Sequence, residues 1–348
     1  RTALWIAESQ MMKETEDVVH MSLDFLPLRS YANITEGNAL RLDWESVVPK
    51  HQLSYIMGNP PFVGYSLQSK EQKKDILSIY VNEKGKPYKT AGKIDYVAGW
   101  YFKASQLIQG TNIRIAFVST NSITQGEQVA GVWKPLYDRF GIHIDFAYRT
   151  FRWDSEANLK AHVHCVIVGF SVAPNNAEKR IYSEEHFQMA ENINAYLMDA
   201  PTVFIESRSK SLCEVPEMLY GNKPTDGGFL FLTNDEYQDV QKREPEILKY
   251  IRRVYGASEF INNKPRFCIW LVGVSPAEVR KSKFIMERVE SVRKFRLAST
   301  KAATRKSAEM PTLFQEVRHP NSDYIIVPRH SSETRKYIPL GFVSPEII

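Results

Sequence analysis

Short apolar runs alternate with amphipathic stretches through the first half of the chain. Runs of strand length cover residues 53–58, 113–119, 142–147 and 161–170. Residues 93–104 group their aromatic side chains on one face at helical spacing. Strands of this length interleaved with a helical segment predict an α/β domain built around one sheet. The last two strands, joined by residues 148–158, are expected to form a long hairpin.

The alternation of apolar runs and amphipathic stretches ends after residue 170. A polar, proline-containing stretch at residues 171–179 suits a domain boundary. Beyond it, the turn Asp226-Gly227-Gly228 precedes a predicted strand at 229–232, a helix is expected near 235–254, and Ser275-Pro276 predicts the start of another helix. We therefore predict an α/β domain over residues 1–172, a linker over 173–200 and an α+β domain over 201–348.

Composition and length fit two folded domains. The chain has 348 residues, of which 43% are hydrophobic, and no apolar run is long enough to span a membrane. Three scattered cysteines predict a reducing compartment, here the bacterial cytoplasm. His162 and His164 are two residues apart and so lie on one face of the predicted strand, beside Cys165. No further metal ligands occur at suitable spacing, so we predict no metal site.

Positive charge is concentrated in one segment. Residues 280–306 contain ten Lys and Arg against two Glu, a local balance of +8 in a chain whose overall charge is +5. Such a surface would neutralise phosphates, although a charge run is also typical of an ordinary solvated helix face. The predicted DNA-binding residues are Arg280, Lys281, Lys283, Arg293, Lys294, Arg296, Lys301, Arg305 and Lys306.

The most informative segment follows the first apolar run. Asn59-Pro60-Pro61-Phe62 places a rigid polar corner at the carboxyl end of a strand, where open α/β sheets bind ligands. The Asn59 amide oxygen and the carbonyl of Pro60, stiffened by Pro61, can each accept one hydrogen of an exocyclic amino group. Phe62 offers a flat face for an extruded base. We therefore predict amine alkylation here, although a structural turn would use the same residues.

This corner resembles motif IV of the amino methyltransferases that use S-adenosylmethionine, in the form common among adenine-N6 DNA methyltransferases. Residues 36–44 resemble motif III of the same family. The resemblance implies that Asn38 contacts the cofactor's adenine amino group and that Ala39 lies against its ring. Asp43 is the alternative contact if the alignment slides, and an ordinary polar loop would also explain the segment.

Two further segments carry the same resemblance. Residues 93–104 match motif V, which implies that Asp95 and Tyr96 lie near the cofactor pocket. In motif VIII an aromatic residue packs against the flipped base; Phe151 matches that position best and Trp153 second, although both would also suit a protein core. The resemblance thus implies the C-terminal part of a Rossmann-like methyltransferase sheet.

The second half narrows the family. Residues 216–228, 266–271 and 335–342 resemble the C-terminal half of MmeI-like, type IIL restriction-modification proteins. The resemblance implies an N-terminally truncated adenine-N6 DNA methyltransferase followed by a target recognition domain, with double-stranded DNA as substrate. The resemblance also implies that the target adenine is flipped out of the duplex and that the methyl group passes directly from the cofactor to its N6. Asp154, Glu156 and Lys160 do not form a convincing nuclease cluster, so any nuclease is expected upstream.

The sequence has no Gly-x-Gly loop to hold the cofactor's methionine moiety, and it begins at Arg1. We therefore expect that loop before Arg1 and expect this segment alone to be inactive. Two other functions remain open. One is a recognition module without catalysis, and the other is methylation of RNA or of a protein glutamine.

Overall fold

The computed structural model describes residues 2–21, 34–153, 163–174, 177–184, 186–332 and 335–348. The chain divides into two compact units, Arg1–Lys210 and Ser211–Ile348. Each unit has a hydrophobic core of its own. The exact bounds that we predicted for the domains and their linker stay a prediction. None of the helices within the described ranges combines the length and the apolar character that a membrane span requires.

Unit 1 is an α/β structure, as the sequence predicted. Short 3-10 turns lie at Trp44–Ser46, Lys50–Gln52, Ala91–Lys93 and Asn121–Thr124. The longer elements are α1 (Thr2–Val19), β1 (Tyr55–Gly58), α2 (Lys70–Ile79), α3 (Ala98–Leu107), β2 (Arg114–Thr120), α4 (Gly126–Phe140), β3 (His143–Trp153), β4 (Val163–Ser171), β5 (Lys179–Ser183) and β6 (His186–Ala190).

The six strands form one mixed sheet in the order β1-β2-β4-β3-β5-β6. β1 and β2 are parallel, as are β3 and β5, and the other neighbours are antiparallel. The predicted hairpin is therefore present, with β4 between β2 and β3. β3 extends to Trp153, so Phe151 lies on the strand, opposite Cys165, and not in the connection. The remainder of the predicted connection lies outside the described residues.

The core of unit 1 joins the sheet to α2, α3 and α4. Tyr101 of α3 is fully buried, and its ring stacks on Phe170 of β4 at a centroid distance of 5.4 Å. Gly99, also in α3, lies so close to its neighbours that a Cβ atom would be 3.0 Å from side-chain carbons of Leu40 and Ile76. This close approach brings α3 and α2 against the loop that contains Leu40.

Unit 2 has two small sheets and helices of 4 to 15 residues. β7, β9 and β8 form one sheet in that order, and β10 pairs antiparallel with β11. The elements are β7 (Phe231–Leu232), α5 (Asn234–Arg243), β8 (Ile251–Arg253), α6 (Ala257–Asn262), β9 (Phe267–Ile269), α7 (Pro276–Val279), α8 (Lys283–Leu297), α9 (Ala302–Lys306), β10 (Tyr324–Ile326) and β11 (Gly341–Val343).

Two predicted elements of unit 2 differ from the structure. The helix expected near residues 235–254 ends at Arg243, because Pro245 disfavours helical backbone at Glu244 and lacks the N–H that a helix would use. A 3-10 turn, Pro245–Tyr250, and β8 follow. The helix expected from Pro276 is interrupted at Ser282, whose hydroxyl accepts a hydrogen bond from the Ile285 N–H and so caps α8.

Candidate active site

The predicted corner lies at the carboxyl end of β1. Gly58 pairs with Phe117 of β2, and a Cβ at Gly58 would be 3.3 Å from the Phe117 ring. Beyond it, Asn59 is exposed, Pro60 is buried and Phe62 is half-buried. Among the described residues, neither the Asn59 amide nor the Pro60 carbonyl makes an internal hydrogen bond. Both acceptors are therefore available to a ligand.

Asp95 supports the loop that follows the corner. The Tyr65 N–H donates to Asp95 Oδ1 at 2.9 Å, and the Ser122 hydroxyl donates to Asp95 Oδ2 at 2.5 Å. The neighbouring Tyr96 N–H donates to the Val63 carbonyl at 2.9 Å. Asp95 is buried and both of its oxygens are engaged within the protein. In this structure it therefore supports the loop after the corner, and its predicted contact with cofactor stays a prediction.

An open cavity of about 290 Å³ adjoins the corner. Most of its lining residues are apolar, although the backbone and the Asn59 amide contribute polar surface, and two tryptophans come from separate segments. The lining residues are Trp44, Ile56, Met57, Gly58, Asn59, Pro60, Pro61, Trp100 and Phe117. The cavity therefore combines flat aromatic surfaces with the corner's free acceptors, a composition that suits a planar heterocycle.

The predicted motif III loop is held against the same region. The Trp44 indole donates to the Ala39 carbonyl at 2.7 Å. The Lys103 ammonium from α3 donates to the carbonyls of Ala39, at 3.0 Å, and Leu40, at 2.9 Å, and also to that of Leu42. Burial lowers the pKa of Lys103. The loop backbone is thus fixed from α3 by a half-buried cation.

Asp43 has a local structural role. Its side chain accepts a hydrogen bond from the Glu45 N–H at 3.1 Å and so caps the 3-10 turn Trp44–Ser46. The side chain is exposed and does not line the cavity. Asn38 and Ala39 do not line the cavity either, so both alignments of the motif III segment stay predictions.

Asn38 is held by a buried carboxylate on α2. Its Nδ2 donates to Asp75 Oδ2 at 2.9 Å, and the Tyr96 hydroxyl donates to the same oxygen at 3.1 Å. The Arg41 guanidinium donates to Asp75 Oδ1 at 2.7 Å. Burial acts to raise the pKa of Asp75, but these hydrogen bonds and the Arg41 charge lower it below its ordinary value. Asp75 is thus held as a carboxylate.

Phe151 lies at the same edge of the sheet as the corner. Thr120, at the end of β2, pairs with Cys165 of β4, which pairs in turn with Phe151. Three strand spacings separate β1 from β3, or about 14 Å at the usual spacing. The Tyr148 ring packs edge-on against Phe151 at 5.2 Å between centroids. The Trp153 backbone pairs with Val163, and its side chain lies outside the described residues.

Arg296 does not form part of the predicted DNA-binding surface. It is 1% exposed, and burial lowers the pKa of its guanidinium. The guanidinium donates at 2.7–3.1 Å to five backbone carbonyls, those of Pro224, Thr225, Ser307, Met310 and Leu313. The prediction for Arg296 is therefore wrong, because its donors are engaged in joining segments of unit 2.

The other eight predicted DNA-binding residues are exposed. Two are paired with acids of α8, Lys283 with Glu287 and Arg293 with Glu290, each at 3.8 Å. Arg280 and Arg305 donate to nearby backbone carbonyls. No ion pair within the described ranges involves the remaining four, which are Lys281, Lys294, Lys301 and Lys306. These four lysines, the free-lysine set, are exposed and have no ion pair among the described residues.

Four residues of the site were not identified from the sequence. Trp44 and Trp100 lie within the segments that resemble motifs III and V, but aromatic residues there are equally typical of a core. Lys103 also lies in the motif V segment and Asp75 lies outside every motif, and the partners of both are remote in sequence. The described residues contain no group of three or more His, Cys, Asp or Glu that could hold a metal ion.

Comparisons with known proteins place this site in a family. The model of the MmeI DNA-methyltransferase domain matches residues 1–183, and that of the MmeI target recognition domain matches residues 199–348. DNA methyltransferase A of Bacillus subtilis (strain 168) is 37% identical over 351 residues, covering 100% of this chain and 39% of the relative's length.

A solved structure is similar to this chain in sequence and in fold. The type IIL restriction-modification enzyme MmeI, determined in complex with DNA, is 43% identical with a TM-score of 0.83. The match covers 99% of this chain and 46% of that chain. This sequence therefore spans less than half of either relative. Because both domain models match in succession, the chain belongs to the MmeI family of restriction-modification proteins, with a DNA-methyltransferase domain followed by a target recognition domain.

Proposed function

We propose that this chain supplies the catalytic corner and the recognition part of a site-specific adenine-N6 DNA methyltransferase. The observation that carries the proposal is the pair of unengaged acceptors, Asn59 Oδ1 and the Pro60 carbonyl, beside an apolar cavity with two tryptophans. Membership in the MmeI family and the target recognition domain support double-stranded DNA as the substrate.

The two acceptors suit an amino group attached to a ring. Each accepts one hydrogen of the adenine N6 group, which polarises the nitrogen and directs its lone pair away from the ring. The backbone at Pro60 is stiffened by Pro61, so little ordering is required on binding. Phe62 stacks on one face of the flipped base, and Phe151 is proposed for the other.

We propose that the adenosyl group of the cofactor occupies this cavity, with its adenine against the motif III loop. Trp44 and Trp100 supply flat walls, and Asn38 and Ala39 lie on the loop to which Trp44 is bonded. S-adenosylmethionine, when bound, supplies a methyl carbon on a positively charged sulfur. The N6 lone pair would bond to that carbon as the carbon–sulfur bond breaks, with its electron pair retained by sulfur and one N6 proton released to solvent.

No protein nucleophile enters this scheme. Asn59 and the Pro60 carbonyl contribute by orienting and polarising the amine, so catalysis is positioning together with electrostatics. Replacing Asn59 removes one of the two acceptors without altering the recognition domain. DNA affinity and methyl transfer should therefore respond separately to this change.

The test is methyl transfer by the protein at its full natural length, with labelled S-adenosylmethionine and duplex DNA, followed by identification of the modified nucleoside. Wild type is expected to place label in N6-methyladenine. Asn59→Ala is expected to lower the rate by about a hundredfold or more while DNA affinity remains comparable to wild type. Asn112→Ala is the matched control, because Asn112 is exposed and precedes β2 at the opposite edge of the sheet.

Three results would contradict the proposal. Label in a nucleoside other than N6-methyladenine would show that the proposed reaction is wrong. A wild-type rate of methyl transfer by Asn59→Ala would show that the corner does not have the proposed role. DNA binding without any methyl transfer by the full-length protein would instead support a recognition module that lacks catalysis.

A further inference from the structure

A buried carboxylate on α2 connects two predicted cofactor segments. Asp75 is 5% exposed and lies beside Ile76, which is fully buried. Its hydrogen-bond donors come from the loop at residues 38–41 and from Tyr96, which precedes α3. No motif of the methyltransferase resemblance includes Asp75, and the proposed function assigns it no role.

An ion pair with Arg41 alone would not require this arrangement. Arg41 uses Asp75 Oδ1, whereas Oδ2 accepts from both Asn38 and Tyr96. The Arg41 side chain is largely exposed, so solvent screening weakens its contribution. The second carboxylate oxygen is therefore committed to two residues of the proposed cofactor site.

The contacts fix the orientation of the Asn38 amide. Ionised Asp75 can only accept, so Asn38 must present Nδ2 to it. At its other end, Asn38 Oδ1 accepts a hydrogen bond from the Leu40 N–H at 2.9 Å. Both constraints require the same amide orientation. An amide oxygen has two lone pairs, so Oδ1 keeps one for a ligand.

We infer that Asp75 is a positioning residue that orients Asn38 so that the free lone pair of its Oδ1 selects the 6-amino group of the cofactor's adenine. The inference rests on the proposed function, which places that adenine beside Asn38. Asp75 itself need not touch the cofactor. Its contribution is to make the Asn38 amide a fixed acceptor, which rejects a ring that carries an acceptor at the same position.

Lys103 offers a contrasting role on the other side of the loop. It binds backbone carbonyls of Ala39, Leu40 and Leu42 and therefore holds the loop without orienting the Asn38 side chain. Loss of the Lys103 ammonium should weaken the binding of every compound that contacts this loop, and by a similar factor. Asp75 and Lys103 variants thus separate selection of the 6-amino group from general support.

The experiment measures binding of S-adenosylhomocysteine and S-inosylhomocysteine to the full-length protein. The inosyl compound has a carbonyl in place of the 6-amino group and carries a hydrogen on N1. Wild type should prefer the adenosyl compound by about a hundredfold, the scale expected when a polar site is left unpaired. In Asp75→Ala this preference should fall by about tenfold or more, chiefly through weaker adenosyl binding.

Two further variants complete the design. Asp75→Asn retains an oxygen that can accept from Asn38, so much of the preference should remain. Lys103→Met should weaken both compounds and leave their ratio near that of wild type. In methyl transfer, Asp75→Ala should raise KM for S-adenosylmethionine far more than it lowers kcat. Retained DNA binding and an unchanged unfolding midpoint would exclude misfolding as the cause.

The inference is overturned if Asp75→Ala keeps the wild-type preference, or if it weakens both compounds alike, as Lys103→Met should. It is also overturned, together with the role of Asn38, if wild type does not distinguish the two compounds. Failure of the proposed reaction is a separate result, because that would appear as absence of N6-methyladenine.

Discussion

Arg296 illustrates, at the scale of a single residue, how a cation in a basic segment can belong to the core. Its guanidinium satisfies five backbone carbonyls in two segments, residues 224–225 and 307–313. A planar group with five donors is suited to this task, and a lysine would present fewer donors in a different geometry. The side chain therefore stabilises the fold of the recognition domain.

Replacing Arg296 with Met should destabilise unit 2. The methionine fills similar space but leaves buried carbonyls without a donor, so we expect a loss of about 3 kcal/mol or more. Hydrogen exchange at the amides of α8 would measure this loss. Arg293→Met is the control, because Arg293 is exposed on the same helix. Equal exchange rates in the two variants would contradict the structural role of Arg296.

A candidate residue could be proposed from the sequence where the groups that act together are neighbours along the chain. Asn59 and Pro60 stand together in the sequence, and the need for two acceptors at a rigid turn is visible there. Arg296 and Asp75 could not be identified in this way, because their partners lie on segments that are brought together only by folding. A count of charges along the chain gives no information about which of them are buried.

At the scale of the element, α2 connects the corner to the predicted motif III loop. It begins shortly after the corner and carries Asp75. Its start is a capping box in which the Gln72 N–H donates to Ser69 Oγ at 3.2 Å and the Ser69 N–H donates to Gln72 Oε1 at 2.9 Å. This reciprocal pair fixes where the helix begins and hence where Asp75 is presented.

Ser69→Ala should remove one half of the capping box. The expected cost is about 1 kcal/mol in the free energy of unfolding, with a measurable rise in KM for S-adenosylmethionine through Asp75. Urea denaturation and steady-state kinetics would measure the two effects. Ser66→Ala is a suitable control because Ser66 is exposed in the preceding loop. If the control and the variant behaved alike, the helix start would not matter to the site.

Elements were predicted well where apolar runs are long, as for β2 and β4. The predicted boundaries of helices and strands were wrong where a local signal, such as a proline or a cap, opposed the periodic pattern of apolar residues. Pro245 ended a helix that the pattern extended to residue 254, and the Ser282 cap divided another. The end of β3 was misplaced because its pairing with β4 continues past the polar residues that suggested a turn.

At the scale of the whole molecule, charge is distributed unevenly. The chain carries +5 overall, yet residues 280–306 alone carry +8, so the remainder of the chain is −3. The burial of Arg296 and the ion pairs on α8 reduce the number of cations available to a partner. The free-lysine set therefore contains the cations of this region that we expect to contact phosphates.

Changing the free-lysine set to glutamine should weaken DNA binding by the full-length protein and reduce its dependence on salt. For every phosphate that a lysine no longer neutralises, the slope of log K against log salt should become shallower by about 0.9. The control changes four exposed lysines of unit 1, Lys73, Lys74, Lys84 and Lys86, so that the net charge falls equally. The same change in slope for both variants would indicate that only total charge matters.

The arrangement of the sheet was expected only through the family resemblance. Periodicity predicts strands but not their order, and β4 pairs between β2 and β3 through contacts distant in sequence. By contrast, the change in composition near residue 175 was a local signal, and a division into two parts could be predicted from it.

The proline at position 60 also bears on the chemical lifetime of the protein. An exposed asparagine usually deamidates when the backbone nitrogen of the next residue attacks its side-chain carbon, closing a five-membered imide. Pro60 has no N–H, so this route is blocked at Asn59. The residue that rigidifies the corner thus preserves its amide against conversion to aspartate, which would place a negative charge where a neutral acceptor is required.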